Sequence, residues 1–260
     1  MEEIRSKENS LVKEFVKLGS SSRFRRETGH FLLEGARLAG DAVKNGFHPV
    51  AALATAAALE KYPQTREVME KASRSAVISE QIAEKISGTA ASQGVFCSCG
   101  IPEMDFEIRR DGKYLVLCSL QDPGNVGTII RTSEAFGIDG LVVTKDCPDF
   151  FSPKVLRAGM GSVLRMPVKQ AENGTQAVKI LQEKGIRTFA AALTEDAEDI
   201  TKIPLGPGSC IVIGNEGNGL PQDVINSCDK AVVIPMAGRA QSLNAAAAAA
   251  VCIWEMTRKR

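Results

Sequence analysis

The chain has 260 residues, of which 44% are hydrophobic and 24% charged, and its formal net charge is +1. That length holds two modest domains or one large one, and the ordinary composition excludes a disordered, coiled-coil or fibrous protein. A charge so close to zero excludes polyanion binding through the overall field, so any nucleic-acid partner must be held by local clusters.

The N-terminal residues Met1-Glu2-Glu3-Ile4-Arg5-Ser6-Lys7-Glu8 are charged and have no apolar stretch behind them, unlike a secretory signal. The longest weakly apolar tract, Pro49 to Leu59, is too short to cross a bilayer. The expectation is a cytoplasmic protein without membrane association. Helical patterns follow: Asn9-Ser10 leads into Leu11, Phe15 and Leu18, and Phe31 to Asn45 carries apolar residues at helical spacing. The Ala-rich stretch 49–59 and the segment 65–72 continue this texture. Gly94 to Cys99 reads as a strand, Gly100-Ile101-Pro102-Glu103 ends it, and Arg109-Arg110-Asp111-Gly112 is a polar turn. The expected division is therefore a domain over 1–100, a linker over 101–112 and a second domain over 113–260.

From Tyr114 onward strand and helix alternate. Strands are predicted at Tyr114–Leu117, Gly140–Thr144, Arg187–Leu193, Cys210–Ile213 and Ala231–Ile234. Helices are predicted at Val126–Phe136, Pro153–Met160, Gly174–Lys184 and Leu243–Met256. This alternation calls for an α/β domain with a parallel sheet covered on both faces. Ligands in such sheets bind in loops leaving the carboxyl ends of strands, which puts the loops beginning at Ser119, Gly214 and Pro235 in one region. Seven cysteines, with no Cys-x-x-Cys pair, fall largely in apolar runs and read as small buried hydrophobes. With only two histidines in the chain, no metal site is expected.

Three segments carry chemistry. In Gln121-Asp122-Pro123-Gly124-Asn125, a turn opens a helix that Asn125 is placed to cap, and Arg131 can project from the flank of that helix. In Gly214-Asn215-Glu216-Gly217-Asn218-Gly219, glycines let the backbone approach a ligand while Glu216 supplies a fixed carboxylate. In Ile234-Pro235-Met236-Ala237-Gly238 followed by Ser242-Leu243-Asn244, a strand runs through a loop into the last helix, which Ser242 or Asn244 caps. The free donors of such a helix start suit a polar or anionic group.

In this order the three segments closely resemble the SpoU (TrmH) family of RNA methyltransferases, within the SPOUT superfamily. Shorter stretches, Arg25-Arg26-x-x-Gly29-x-Phe31-Leu32-Leu33-Glu34-Gly35-x-Arg37 and Ser92-Gln93-Gly94-Val95, resemble the start and the close of the family's RNA-binding domain, which is similar to a ribosomal-protein fold. The resemblance implies a trefoil knot in the C-terminal sheet domain and a homodimer formed through it. It also implies S-adenosyl-L-methionine as cofactor and methyl transfer to a ribose 2′-hydroxyl. The implied substrate is ribosomal RNA, with transfer RNA or a non-catalytic RNA-binding role in ribosome assembly as alternatives.

Carried over by position, Gly214, Asn215, Gly217, Ile234, Met236 and Leu243 are expected to hold the cofactor. Asn125, Arg131, Glu216, Ser242 and Asn244 are expected to form the catalytic group, and Arg23, Arg25, Arg26 and Arg37 to contact RNA. Arginine keeps its proton in proteins, so Arg131 is expected to act as a cation beside the developing alkoxide or a flanking phosphate. Ala246 stands where the family commonly has a serine.

Overall fold

The structure is a computed structural model and describes residues 2–87, 92–238 and 242–258. The chain divides into two compact units, Met1–Pro102 with Asp149–Leu164, and Glu103–Pro148 with Arg165–Arg260.

The first unit contains β1 (Glu2–Ile4), α1 (Ser10–Ser20), α2 (Ser22–Thr28), β2 (His30–Glu34), α3 (Ala36–Lys44), β3 (Pro49–Thr55), α4 (Ala56–Lys61), α5 (Gln64–Lys71), β4 (Arg74–Ile78), α6 (Glu80–Ser87) and β5 (Val95–Gly100). Its strands form one mixed sheet in the order β1-β4-β3-β5-β2. The Asn9 side chain accepts the Leu11 amide at 2.9 Å and so starts α1, which buries Leu11, Val12, Phe15 and Leu18.

Two helical expectations fail here. Phe31 to Asn45 is a strand followed by a helix, because Phe31, Leu32 and Leu33 are all buried and Gly35, at φ +102°, breaks the chain before α3. The Ala-rich stretch opens as strand β3, where Ala51, Ala52 and Ala54 pair with β4 on one side and β5 on the other. Central ladder bonds override the helix preference of alanine.

The second difference concerns the domain boundary. The Phe151 ring lies 4.6 Å from that of Phe31, and Asp149 pairs with Arg25 at 2.7 Å, so 149–164 belongs with the first unit. The expected linker is packed: Phe106 stacks at 5.9 Å on Tyr114, and Ile108 is buried in the core of the second unit.

The Arg25 pair corrects a further expectation. Arg25 is only 3% exposed, and besides Asp149 its guanidinium donates to the Leu18 carbonyl. Two of its donors are taken by protein and the side chain is buried, so Arg25 is held as a structural residue and is not presented to RNA. Breaking a buried pair leaves the other charge uncompensated. Arg25→Met is therefore expected to cost about 3 kcal/mol, read as a lower urea midpoint at unchanged m-value. An unshifted midpoint would refute this.

The second unit carries β6 (Lys113–Leu117), α7 (Pro123–Ala135) and β7 (Gly140–Thr144). The helix of the first unit at Pro153–Gly159 comes next and is α8. There follow β8 (Val168–Ala171), α9 (Gly174–Gln182), β9 (Arg187–Ala191), β10 (Glu198–Asp199), β11 (Ser209–Ile213), α10 (Gln222–Ser227), β12 (Lys230–Val233) and α11 (Ala245–Thr257). The seven strands make one sheet, ordered β10-β12-β9-β11-β6-β7-β8, and every pairing in it is parallel. The strands β7 and β11 are buried along their whole length, as their continuous apolar runs require.

Five of the seven cysteines are buried. Loss of hydration pushes the Cys252 thiol up to about 12, so it acts as a small apolar side chain. Among the described residues no helix is long and apolar enough to cross a membrane.

Candidate functional site

Because every strand of the second unit runs the same way, the chain leaves β6, β9, β11 and β12 at one edge of the sheet. The loop after β11 is closed on itself: Asn215 and Gly219 exchange backbone hydrogen bonds at 3.0 Å in each direction. A Cβ on Gly214 would lie 2.6 Å from the Gly219 carbonyl carbon, so only glycine permits this closure. The Asn215 carboxamide holds the turn from within. Its oxygen accepts the amides of Gly217 (2.9 Å) and Asn218 (3.0 Å), and its nitrogen donates to the Ser119 carbonyl at 2.8 Å.

Glu216 then joins this loop to the start of α7. Its carboxylate accepts the backbone amides of Gln121 (3.1 Å) and Asp122 (3.2 Å) and the Asn125 side-chain nitrogen at 2.9 Å. Asn125 is not the cap that the sequence suggests. Asp122 takes that position by accepting the Gly124 amide, while Asn125 sits in the first turn and is 7% exposed. Its oxygen accepts from the Asn244 side chain at 3.0 Å. Of the two expected caps for α11, Asn244 is the one used, accepting the amides of Ala246 (2.9 Å) and Ala247 (3.2 Å). Ala246, where a serine was expected from the resemblance, is buried in that first turn.

The three motif segments are thus tied by a relay running from Asn244 to Asn125 to Glu216. Partial burial pushes the Glu216 carboxyl up, but the hydrogen bonds from Asn125 and the backbone amides together outweigh it and hold it below the usual carboxylate range. With its folded value depressed, the stability it contributes is present above the unfolded carboxylate value and is lost as pH falls through the folded one. A carboxylate so fully engaged is an anchor and a poor proton acceptor.

Beside this relay lies a cavity of about 400 Å³ at the carboxyl ends of β9, β11 and β12. Gly214, Asn215, Gly217, Ile234, Met236 and Leu243 all line it, as do Glu216 and Ser242. Residues 239–241 of the last motif lie outside the described residues. Sequence reasoning missed Leu193, Ala245, Ala248 and Cys252, which also face the cavity. Leu193 ended a predicted strand at the same edge of the sheet, and that position was the available signal.

The cavity fits a nucleoside cofactor. Leu193, Met236 and Leu243 are 70%, 37% and 41% exposed, so large apolar side chains are left open to water around one cavity with a polar backbone loop on its wall. An apolar wall with a few fixed polar groups is what a ligand site of this size requires.

Arg131 is brought to neither the relay nor the cavity. It lies six residues beyond Asn125, about 9 Å along the axis and about 120° around it in an α-helix. It is exposed and has no hydrogen-bond or ion-pair partner among the described residues. Of the arginines expected to meet RNA, Arg26 and Arg37 are exposed, and Arg23 is spent on an exposed pair with Glu27 at 2.6 Å.

The sequence matches the SpoU rRNA Methylase family over residues 112–254 and the MRM3-like substrate binding domain over residues 9–97. A 23S rRNA (guanosine(2553)-2′-O)-methyltransferase, RlmP of Bacillus subtilis, is 30% identical over 98% of this chain and 99% of its own length. An uncharacterized tRNA/rRNA methyltransferase of Synechocystis is 31% identical over 99% of this chain and 94% of its own. Among solved structures, the AdoMet-bound rRNA methyltransferase of Sinorhizobium meliloti superposes with a TM-score of 0.86 at 28% identity, covering 98% of this chain and 96% of that one. The AdoMet complex of AviRb from Streptomyces viridochromogenes gives 0.85 at 25% identity, over 95% and 96% of the two chains.

Proposed function

The chain belongs to the SpoU family of S-adenosylmethionine-dependent RNA 2′-O-ribose methyltransferases, and we propose that the RNA it methylates is ribosomal. The observation that carries the proposal is the cavity beside the Asn244–Asn125–Glu216 relay, in a chain that also has a substrate-binding domain and matches a ribosomal RNA enzyme along its whole length.

When bound, the cofactor supplies a methyl group on a sulfonium, which leaves as a neutral thioether. Binding, orientation and charge stabilisation fall to the chain. Gly214 and Gly217 offer backbone groups to the adenosine from the loop that Asn215 holds closed, and Ile234, Met236 and Leu243 cover its apolar face. The relay fixes the junction on which the nucleotide rests, with Ser242 at its edge. Arg131, exposed and unpaired among the described residues, stabilises the developing 2′-alkoxide as the hydroxyl proton passes to solvent water, or grips the adjoining phosphate. Arg26 and Arg37 contribute charge to RNA binding. A cytoplasmic location is part of the proposal, as is the family's trefoil knot.

The decisive experiment supplies methyl-labelled cofactor with separated ribosomal and transfer RNAs from a strain lacking the protein. Label is expected on one ribose of ribosomal RNA. Label on transfer RNA alone would move the substrate, and label on a base would overturn the chemistry. Absence of cofactor binding by calorimetry would leave only a non-catalytic RNA-binding role.

The proposal includes a homodimer through the second unit. Phe136, Val251 and Trp254 are 39%, 40% and 54% exposed, and the rings of Phe136 and Trp254 meet edge-on at 5.7 Å, so α11 and the residue that ends α7 share an open apolar face. A second copy of the chain covers it. Such faces are costly to leave in water. Trp254→Glu is expected to convert the dimer to monomer in light scattering at micromolar concentration. A dimer unchanged by the substitution would place the interface elsewhere.

A further inference from the structure

The first unit holds a cavity of about 500 Å³ that the methyl-transfer site does not use. It is where the two N-terminal sequence motifs converge: Glu34, Gly35 and Arg37 come from one and Gln93 from the other.

Its polar wall is built in advance. Glu34 accepts from the Ser87 hydroxyl at 2.5 Å and from Arg157 at 3.2 Å, which fixes its carboxylate. Gln93 is fixed by its oxygen, which accepts the Ala36 amide at 3.1 Å and so satisfies a free donor at the start of α3. Gly35 stands at φ +102°, and a Cβ there would meet that oxygen at 3.0 Å. The lining is completed by the apolar Leu38, Leu156 and Met160, the last 45% exposed.

Two charges on the lining of the cavity have no hydrogen-bond or ion-pair partner among the described residues. Arg37 and Asp41 stand four apart on α3, the spacing at which opposite charges commonly pair, yet no ion pair forms between them. A ligand that suits both must carry an anion for the guanidinium, N–H donors for the carboxylate and a flat apolar face for Leu38 and Met160.

We infer that this cavity takes one unstacked nucleotide of the RNA, at a position other than the methylated one. Its phosphate meets Arg37 and its base edge meets Asp41. Guanine presents two adjacent N–H groups, matching a carboxylate in bidentate fashion, whereas uracil presents one. Sequence-specific RNA recognition works through splayed bases held in this way. The cavity would thus select the RNA, and this rests on the reading of the chain as an RNA methyltransferase.

The test uses the full chain with S-adenosylhomocysteine at saturation, so that the cofactor cavity is closed to other nucleotides. GMP and UMP are titrated by NMR, following the amides of α3 and of residues 92–95. GMP is expected to give saturable shifts there, with at least 10-fold tighter binding than UMP. Arg37→Ala and Asp41→Asn should each weaken GMP at least 5-fold, and Leu38→Trp should abolish its binding by filling the cavity. In methyl transfer the same three variants should raise KM for RNA about 10-fold with cofactor affinity unchanged. Equal binding of GMP and UMP, or shifts confined to other surfaces, would overturn the inference. The titration does not depend on methyl transfer, so an inactive wild-type enzyme with a GMP-selective cavity would refute the proposed activity and leave the nucleotide site standing.

Discussion

Arg131→Ala is expected to lower the single-turnover rate of methyl transfer by about 10²–10³-fold, the range found when a donor to a developing oxyanion is removed. The cofactor dissociation constant and the melting temperature should not change. Arg131 is exposed on α7, has no partner among the described residues and lies outside the cofactor cavity, so its removal uncovers no buried group and deletes no cofactor contact. A loss confined to the chemical step would mark a charge that acts only when RNA is present. Arg131→Lys keeps the charge but loses the planar fork that grips a phosphate or alkoxide at two points, and should recover only part of the rate. If Arg131→Ala transferred methyl at the wild-type rate, the residue would drop out of the mechanism.

Asn125→Ala should damage both stability and rate. Asn125 is 7% exposed and holds the middle of the relay, donating to Glu216 at 2.9 Å and accepting from Asn244 at 3.0 Å. Its truncation leaves the Asn244 amide without its acceptor and Glu216 without one of its donors, a loss of about 1–3 kcal/mol. The starts of α7 and α11 and the loop after β11 then lose their common tie. A shift of about 1 Å in such a site can cost about 10²-fold in rate. The Asn125→Ala and Asn244→Ala substitutions should be non-additive in a double-mutant cycle, since each breaks the same bond. Urea unfolding with single-turnover assays of both single variants and the double variant would show it. Strict additivity would mean that the relay is not a unit.

Asn125 and Arg131 are two kinds of residue that the sequence presents alike. They stand in one motif and were expected to act together. The fold buries one in a structural relay and leaves the other in solvent. In the same way Arg25 and Arg26 are neighbours, yet Arg25 is closed over by Asp149 and the Leu18 carbonyl while Arg26 faces water.

Much of the second unit was legible in the chain, although β8, β10 and α10 lie outside the predicted elements. Buried parallel strands are continuous apolar runs, and those at β6, β7 and β11 stand where they were expected. Glycine at 214 and asparagine at 244 also declared themselves, because tight loops and helix starts need particular residue types within a few positions, whereas the loop-closing part of Asn215 did not. The first unit was less legible. Strand β3 is alanine-rich and β2 runs directly into α3, so short-range pattern favoured helix where long-range pairing with β5 decided for strand.

Partnership was settled by the fold. That Glu216 accepts from residues 91 to 95 positions away, that 149–164 packs with the first unit, and that Arg37 and Asp41 face one cavity without pairing are matters of chain crossing. Residue type sets what a side chain can bond, and the fold sets which groups come within about 3 Å of it.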